Sequence, residues 1–277
     1  MKNSFKQIVF GIITVIVAAG CDKAATNVKI PPVEKKIVVQ CFISPDDDII
    51  SALLSWSKPI IGTKEWDDPE IINNANVEIS DGNKTVVLLW NSSLELYQID
   101  STIFKINAGK KYFLTVTMPD GKKVKANCEV PPNKNTTLTF LKHDTLASSD
   151  NEKNILCSFN YRDHEPSHIN YFRLDGQPIP YNPYIDDYVR GEFKRDTELQ
   201  DNNLLKVEFY YYEFQPIDKV AAWIINCDYN YFMYHKTLQT AQNDYGFFTE
   251  PSIIYTNIEG GLGCFGGYNS FEIEVNL

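Results

Sequence analysis

Between residues 112 and 130 apolar and polar side chains alternate on both sides of a Pro119-Asp120-Gly121 turn, and few patterns leave a backbone so little choice. Tyr112, Leu114, Val116 and Met118 fall on one side of an extended strand. Val124, Ala126, Cys128 and Val130 fall on the matching side of its return, while Lys123, Lys125, Asn127 and Glu129 point the other way. A period of two with Pro-Asp-Gly between the runs predicts an antiparallel hairpin with one face in a core and one in water. A helix would scatter the same apolar positions around its circumference.

The pattern repeats upstream. Ile37, Val39, Cys41 and Ile43 alternate with Val38, Gln40 and Phe42; residues 51–57 make a second strand; Val77 and Ile79 alternate before an Asp81-Gly82 turn. Short strands separated by turn signals predict an immunoglobulin-like β-sandwich over residues 33–131. Pro131-Pro132 and the polar run that follows mark a domain boundary. Residues 132–277 read as a β-rich second domain. Ile155, Cys157, Phe159 and Tyr161 alternate there, as do Leu205, Val207, Phe209 and Tyr211 in a strand reaching Gln215, and Phe271, Ile273 and Val275 form a last strand. Cys227, Tyr231, Tyr234, Leu238 and Ala241 recur at spacings of three and four, which predicts one helix capped by Asn226 or Asp228. The fold class is mostly β, a sandwich followed by a β-rich domain with one helix.

The first twenty-one residues carry a different signal. Lys2 and Lys6 precede an apolar run over 8–19, and Ala18-Ala19-Gly20 stand directly before Cys21. The run is shorter than the ~20 residues a spanning helix needs, and small residues before a cysteine read as the processing site of a lipoprotein signal peptide. Residues 1–20 are the expected signal peptide, Cys21 the lipidated first mature residue, and 21–32 a polar, Pro-ended tether.

Charge narrows the partners. Without Lys2 and Lys6 the chain keeps 24 basic against 36 acidic residues, a net charge of −12, which repels phosphate backbones and argues against nucleic acid. Sixteen Phe and sixteen Tyr against three Met suit sheet packing. With Cys21 acylated, Cys41, Cys128, Cys157, Cys227 and Cys264 remain. They are odd in number and contain no Cys-x-x-Cys, so zinc-ribbon and thioredoxin chemistry is not expected, and a Cys41–Cys128 pairing is left open.

Three motifs invite a catalytic or binding reading. His164-Glu165-Pro166-Ser167-His168 matches H-E-x-x-H, but zinc chemistry needs both imidazoles on one helical face, and Pro166 removes a helical donor between them. Gly261-Leu262-Gly263-Cys264-Phe265-Gly266 matches G-x-G-x-x-G, yet it opens no helix and only eleven residues follow, so its glycines are read as sites of close backbone approach with Phe265 in the core. Tyr210, Tyr211, Tyr212 and Phe214, with Tyr229, Tyr231 and Tyr234, could stack on sugar rings; alternation along a strand turns Tyr211 away from Tyr210 and Tyr212, and core or interface packing is preferred. His143, His164, His168 and His235 are the chain's imidazoles, and no G-x-S-x-G accompanies them. No catalytic residue, cofactor or metal ligand is assigned.

The lipobox, Ile37-Val38-Val39, Asn74-Ala75-Asn76-Val77, Asp163 followed by Asn170-Tyr171-Phe172, and Asn257-Ile258 leading into the Gly260–Gly266 run together resemble the Bacteroidota lipoproteins of domain-of-unknown-function family 4249. The resemblance covers nearly the whole mature chain and rests on order and spacing. It implies a surface or periplasmic lipoprotein often encoded beside a TonB-dependent outer-membrane receptor, with no established catalytic residues to carry over. Asp22-Lys23-Ala24-Ala25 lacks the dense acidic cluster of surface export, so outer-membrane residence is the firmer expectation, with the cell surface preferred to the periplasmic face. The expected function is a non-catalytic accessory or binding partner of such a receptor in nutrient uptake; a lipid-anchored hydrolase and a structural or adhesive surface protein are the alternatives.

Overall fold

The hairpin over 112–130 forms as the alternation predicts. A computed structural model of the chain describes residues 34–58, 68–132, 136–147, 152–163, 171–179, 194–195, 204–212, 218–243 and 252–277. In it Tyr112 faces Cys128, Leu114 faces Ala126 and Val116 faces Val124, all six buried, while Lys123 and Lys125 stand in water. Gly121, at φ 87°, turns the chain and donates its N–H to the Met118 carbonyl at 2.9 Å.

Seven strands build the first half: β1 (Ile37–Ile43), β2 (Ile49–Trp56), β3 (Asn76–Ser80), β4 (Thr85–Asn91), β5 (Leu96–Asp100), β6 (Lys111–Thr117) and β7 (Lys123–Glu129). β1, β2 and β5 pair side by side, and β4, β3, β6 and β7 form the second layer. β4 joins the two, because Thr85–Leu88 pair with β3 and Leu89–Asn91 pair with β5. Their inward residues, among them Val39, Leu54, Ile79, Tyr97 and Val116, close around one apolar core. Three strands against four, with this order, is the immunoglobulin-like arrangement. A tyrosine corner supports it: the Tyr112 hydroxyl, at the start of β6, accepts the Asn107 N–H at 2.7 Å. The Tyr97 hydroxyl does similar service for Asn74-Ala75-Asn76, accepting the Ala75 N–H at 2.8 Å.

The second half contributes β8 (Thr136–Ala147), β9 (Glu152–Asp163), β10 (Tyr171–Pro178), the short β11 (Lys194–Arg195), β12 (Leu204–Tyr212), β13 (Lys219–Cys227), helix α1 (Tyr229–Asn243) and β14 (Leu262–Asn276). β12, β9 and β8 form a separate three-stranded sheet. Ile155, Cys157, Phe159 and Tyr161 of β9 pack against Phe172 and Leu174 of β10 and Val220, Ala222 and Ile224 of β13, a second core between two sheets. On the far side of β13, Ile225 and Cys227 meet Tyr231 and Phe232 of α1. β13 is therefore covered on both faces.

β14 unites the halves. Its first part, Leu262 to Gly267, pairs in parallel with β1, and its second part, Tyr268 to Asn276, pairs antiparallel with β13. The result is one continuous eleven-stranded sheet. Ile258 and Phe265 belong to the sandwich core, so the apolar interior begun by residues 33–131 is completed from beyond the Pro131-Pro132 boundary. All these elements lie within Lys35–Leu277.

Candidate functional site

The glycine run shows most directly what the motifs do. Gly263 lies at φ +97°, and a Cβ there would sit 2.0 Å from the Val39 carbonyl oxygen. A Cβ on Gly266 would meet Tyr231 Cβ at 2.9 Å, and one on Gly267 would meet Val130 Cα at 2.8 Å. Strand β1, helix α1 and the end of the β7 strand each approach β14 through space that a side chain would fill. Phe265, between these glycines, is fully buried in the sandwich core. The run opens a strand, and its glycines serve packing.

A polar joint lies beside it. Asn257 behaves as a substitute peptide group for β14: its Oδ1 accepts the Phe265 N–H at 3.0 Å and its Nδ2 donates to the Phe265 carbonyl at 2.8 Å. The same Nδ2 reaches the Asn127 carbonyl at 3.0 Å, and Asn230 Nδ2 reaches that carbonyl at 3.2 Å. The Tyr255 hydroxyl donates to Asn230 Oδ1 at 2.8 Å, and the Cys264 thiol donates to the Asn230 carbonyl at 3.5 Å. Paired main-chain groups of this kind are what buried backbone requires.

Asp228 is the second hinge of the joint. Its Oδ1 accepts the Tyr231 N–H at 2.8 Å, which is the N-cap bond expected of the residue before α1. Its Oδ2 accepts the Glu129 N–H at 3.2 Å, and its own N–H donates to the Gly267 carbonyl at 2.9 Å. Burial pushes this carboxyl up to about 6 against the downward pull of the backbone N–H groups.

Tyr231, Phe232 and Tyr234 of the helix turn inward. Tyr231, Tyr234 and His235 surround Phe42 with ring centroids 5.0, 5.9 and 4.9 Å away, and Tyr268 lies 5.5 Å from Tyr231. Gln40 Nε2 donates to the Tyr234 hydroxyl at 2.9 Å, and the Tyr268 hydroxyl donates to Asp47 at 2.9 Å. Burial, then the neighbouring Asp47 carboxylate, raises the Tyr268 hydroxyl well above its ordinary value, and burial raises Asp47. Edge-on and tilted rings of this type are interior packing. Tyr231 and Tyr234 are thus closed to a sugar, whereas Tyr229 is exposed. Tyr210, Tyr211 and Tyr212 lie in β12, where only their strand positions are described, and Phe214 is outside the described residues. Beneath α1, Arg173 and Asp175 of β10 form a buried ion pair.

Cys21 and the His164-Glu165-Pro166-Ser167-His168 motif lie outside the described residues. His143 is exposed on β8. Cys41, Cys128, Cys157, Cys227 and Cys264 are all buried and free in the structure. Burial drives their thiols up, Cys157 to about 12. Among the described residues no three His, Cys, Asp or Glu side chains are placed to hold a metal, and no helix is long and apolar enough to cross a membrane. Of the polar joint the sequence marks Asp228 as a helix cap and Asn257-Ile258 before the glycines; the bonds that tie the members together join residues far apart in the chain and leave no local pattern.

Among solved structures, the FN1–FN3 domains of chicken CNTN1 are similar at 10% identity and a TM-score of 0.25, over 71% of this chain and 61% of that one. Trypsin-activated alpha-2-macroglobulin from Escherichia coli matches at 12% identity and a TM-score of 0.22, over 76% of this chain and 16% of that one. A mutant Salmonella alpha-2-macroglobulin matches at 12% identity and a TM-score of 0.22, over 90% and 15%. The chain thus spans less than two thirds of each. No curated protein matches it. The family model for "Domain of unknown function (DUF4249)" matches residues 25–274, and the chain belongs to that family.

Proposed function

We propose that this chain is a non-catalytic lipoprotein of the outer membrane, acylated on Cys21, that serves as the accessory or binding partner of a TonB-dependent receptor in nutrient uptake. The anchor rests on the N-terminal pattern of Lys2, Lys6, the apolar run 8–19 and Ala18-Ala19-Gly20-Cys21, and the receptor partnership rests on the family resemblance. Several acyl chains on one residue, at about 0.8 kcal/mol per buried methylene, hold a folded domain at a membrane without a spanning helix. A tether then keeps the domain at high effective concentration beside a membrane partner.

Intact mass of the processed protein tests the anchor: Cys21 should carry the lipid, and Cys21→Ser should leave the outer-membrane fraction. An unmodified Cys21 would remove the reading. The receptor partnership is tested by mild-detergent co-purification of the native lipoprotein, where a TonB-dependent receptor should be recovered with wild type.

A further inference from the structure

The two outer faces of the sandwich differ in chemistry. On the β6–β7 side, Lys123, Lys125, Asn127 and Glu129 meet water. On the β2–β5–β4 side, Ile49, Leu89 and Ile103 protrude, 47%, 70% and 55% exposed. Register brings them together, because Leu89 faces Gln98 of β5 and Ile49 faces Asp100 of the same strand. With Gln98, Ile99 and Ser92 they line an open cleft of about 450 Å³. Large aliphatic side chains held in water cost roughly 25 cal/mol per Å² of apolar surface, a cost that a partner docked over Ile49, Leu89 and Ile103 would relieve.

The rim supplies the identity of the partner. Asp48 precedes Ile49, Asp100 lines the cleft, and Glu95 belongs to the turn that carries Ser92; all three are exposed carboxylates. Lys84, at one end, is directed at the Ile103 carbonyl, 2.6 Å away. A second copy would bring the same carboxylates against themselves on a chain of net charge −10. A small molecule favours recessed walls, whereas Leu89 stands outward.

We propose that this cleft is a docking surface for a different protein, one that inserts a large apolar side chain flanked by Lys or Arg. The surface does not depend on the receptor assignment above.

The full-length chain in mild detergent can be panned with a displayed random-peptide library at low and high salt. Leu89→Glu, Ile49→Glu and Ile103→Glu report on the cleft, and Phe113→Glu removes an exposed apolar residue from the opposite face. Unchanged thermal midpoints establish that each variant is folded. Peptides combining a large apolar residue with neighbouring Lys or Arg should be enriched, should lose at least about tenfold in affinity on the three cleft variants and none on Phe113→Glu, and should weaken with salt. Absence of such enrichment, or equal binding by the cleft variants, overturns the proposal. So does sedimentation showing that wild type dimerises through Leu89, which would assign the face to a second copy.

Discussion

The Asp228 carboxylate that caps helix α1 also accepts the main-chain N–H of Glu129, 3.2 Å away at the end of β7, so one side chain fastens the helix to the sandwich. Asp228→Ala removes both bonds at once. Losing the N-cap costs about 1 kcal/mol, and the bond from the exposed Glu129 N–H, which water can replace, adds about 0.5–1.5 kcal/mol. Denaturant titration should therefore show a loss of roughly 1.5–2.5 kcal/mol, and a change within experimental error would refute the role given to this joint.

The same residue predicts a pH dependence. Its ordinary value is 3.8, and in the folded chain it stands at about 6, so between those values the native state holds the proton more tightly than the unfolded state. Its contribution is fully present below the lower value and is lost as pH rises through about 6. Asp228→Asn cannot ionise but still presents an oxygen to the Tyr231 N–H. Over this range wild type should lose stability relative to the Asn variant as pH rises, and parallel curves would contradict the assignment.

Asn257→Ala should expose the edge of β14 at a single point. The Phe265 N–H and C=O lose their side-chain partners together, for about 1–3 kcal/mol, and hydrogen exchange at the Phe265 amide should quicken more than at its neighbours. Asn257→Gln, longer by a methylene, should not restore protection. Unaltered exchange at Phe265 would show that the side-chain amide is not its partner.

Two glycines with positive φ should respond very differently to alanine. Gly121→Ala adds a methyl that meets nothing within 4 Å and should cost only about 1–2 kcal/mol of backbone strain. Gly263→Ala places its methyl 2.0 Å from the Val39 carbonyl oxygen, so β1 and β14 must separate or the chain must fail to fold. Thermal melts of the two variants read the difference, and similar midpoints would undermine the packing account of the glycine run.

The five described cysteines should resist thiol reagents in the native state and react on denaturation. All are buried, and their thiols are raised far above the range in which thiolate forms at neutral pH. Mass counting of maleimide adducts with and without denaturant checks this, and rapid native labelling of Cys41 or Cys128 would contradict it.

How legible the fold was depended on how many faces of each strand are covered. The 112–130 hairpin and β9 carry one buried face, so their period of two could be read directly. β13, Lys219–Cys227, lies between β10 and β14 in its sheet and is buried against β9 on one face and α1 on the other, and Val-Ala-Ala-Trp-Ile-Ile carries no alternation to detect. β14 was foreseen only at Phe271, Ile273 and Val275, because its first half is written in glycine, a poor strand former that close contact with β1 and Tyr231 selects. The helix and its Asp228 cap were visible as a stripe and an N-cap residue. The second bond from Asp228 to Glu129 was not, since no local pattern announces a partner ninety-nine residues away.

The dual pairing of β14 has a consequence for biogenesis. Val38 finds its parallel neighbour at Leu262, and Lys219 finds its antiparallel neighbour at Asn276, so neither half can complete its sheet until residues 262–276 have emerged. Contacts of such long sequence separation form late and slowly. The two halves therefore consolidate together, and the last strand made is the one on which both depend.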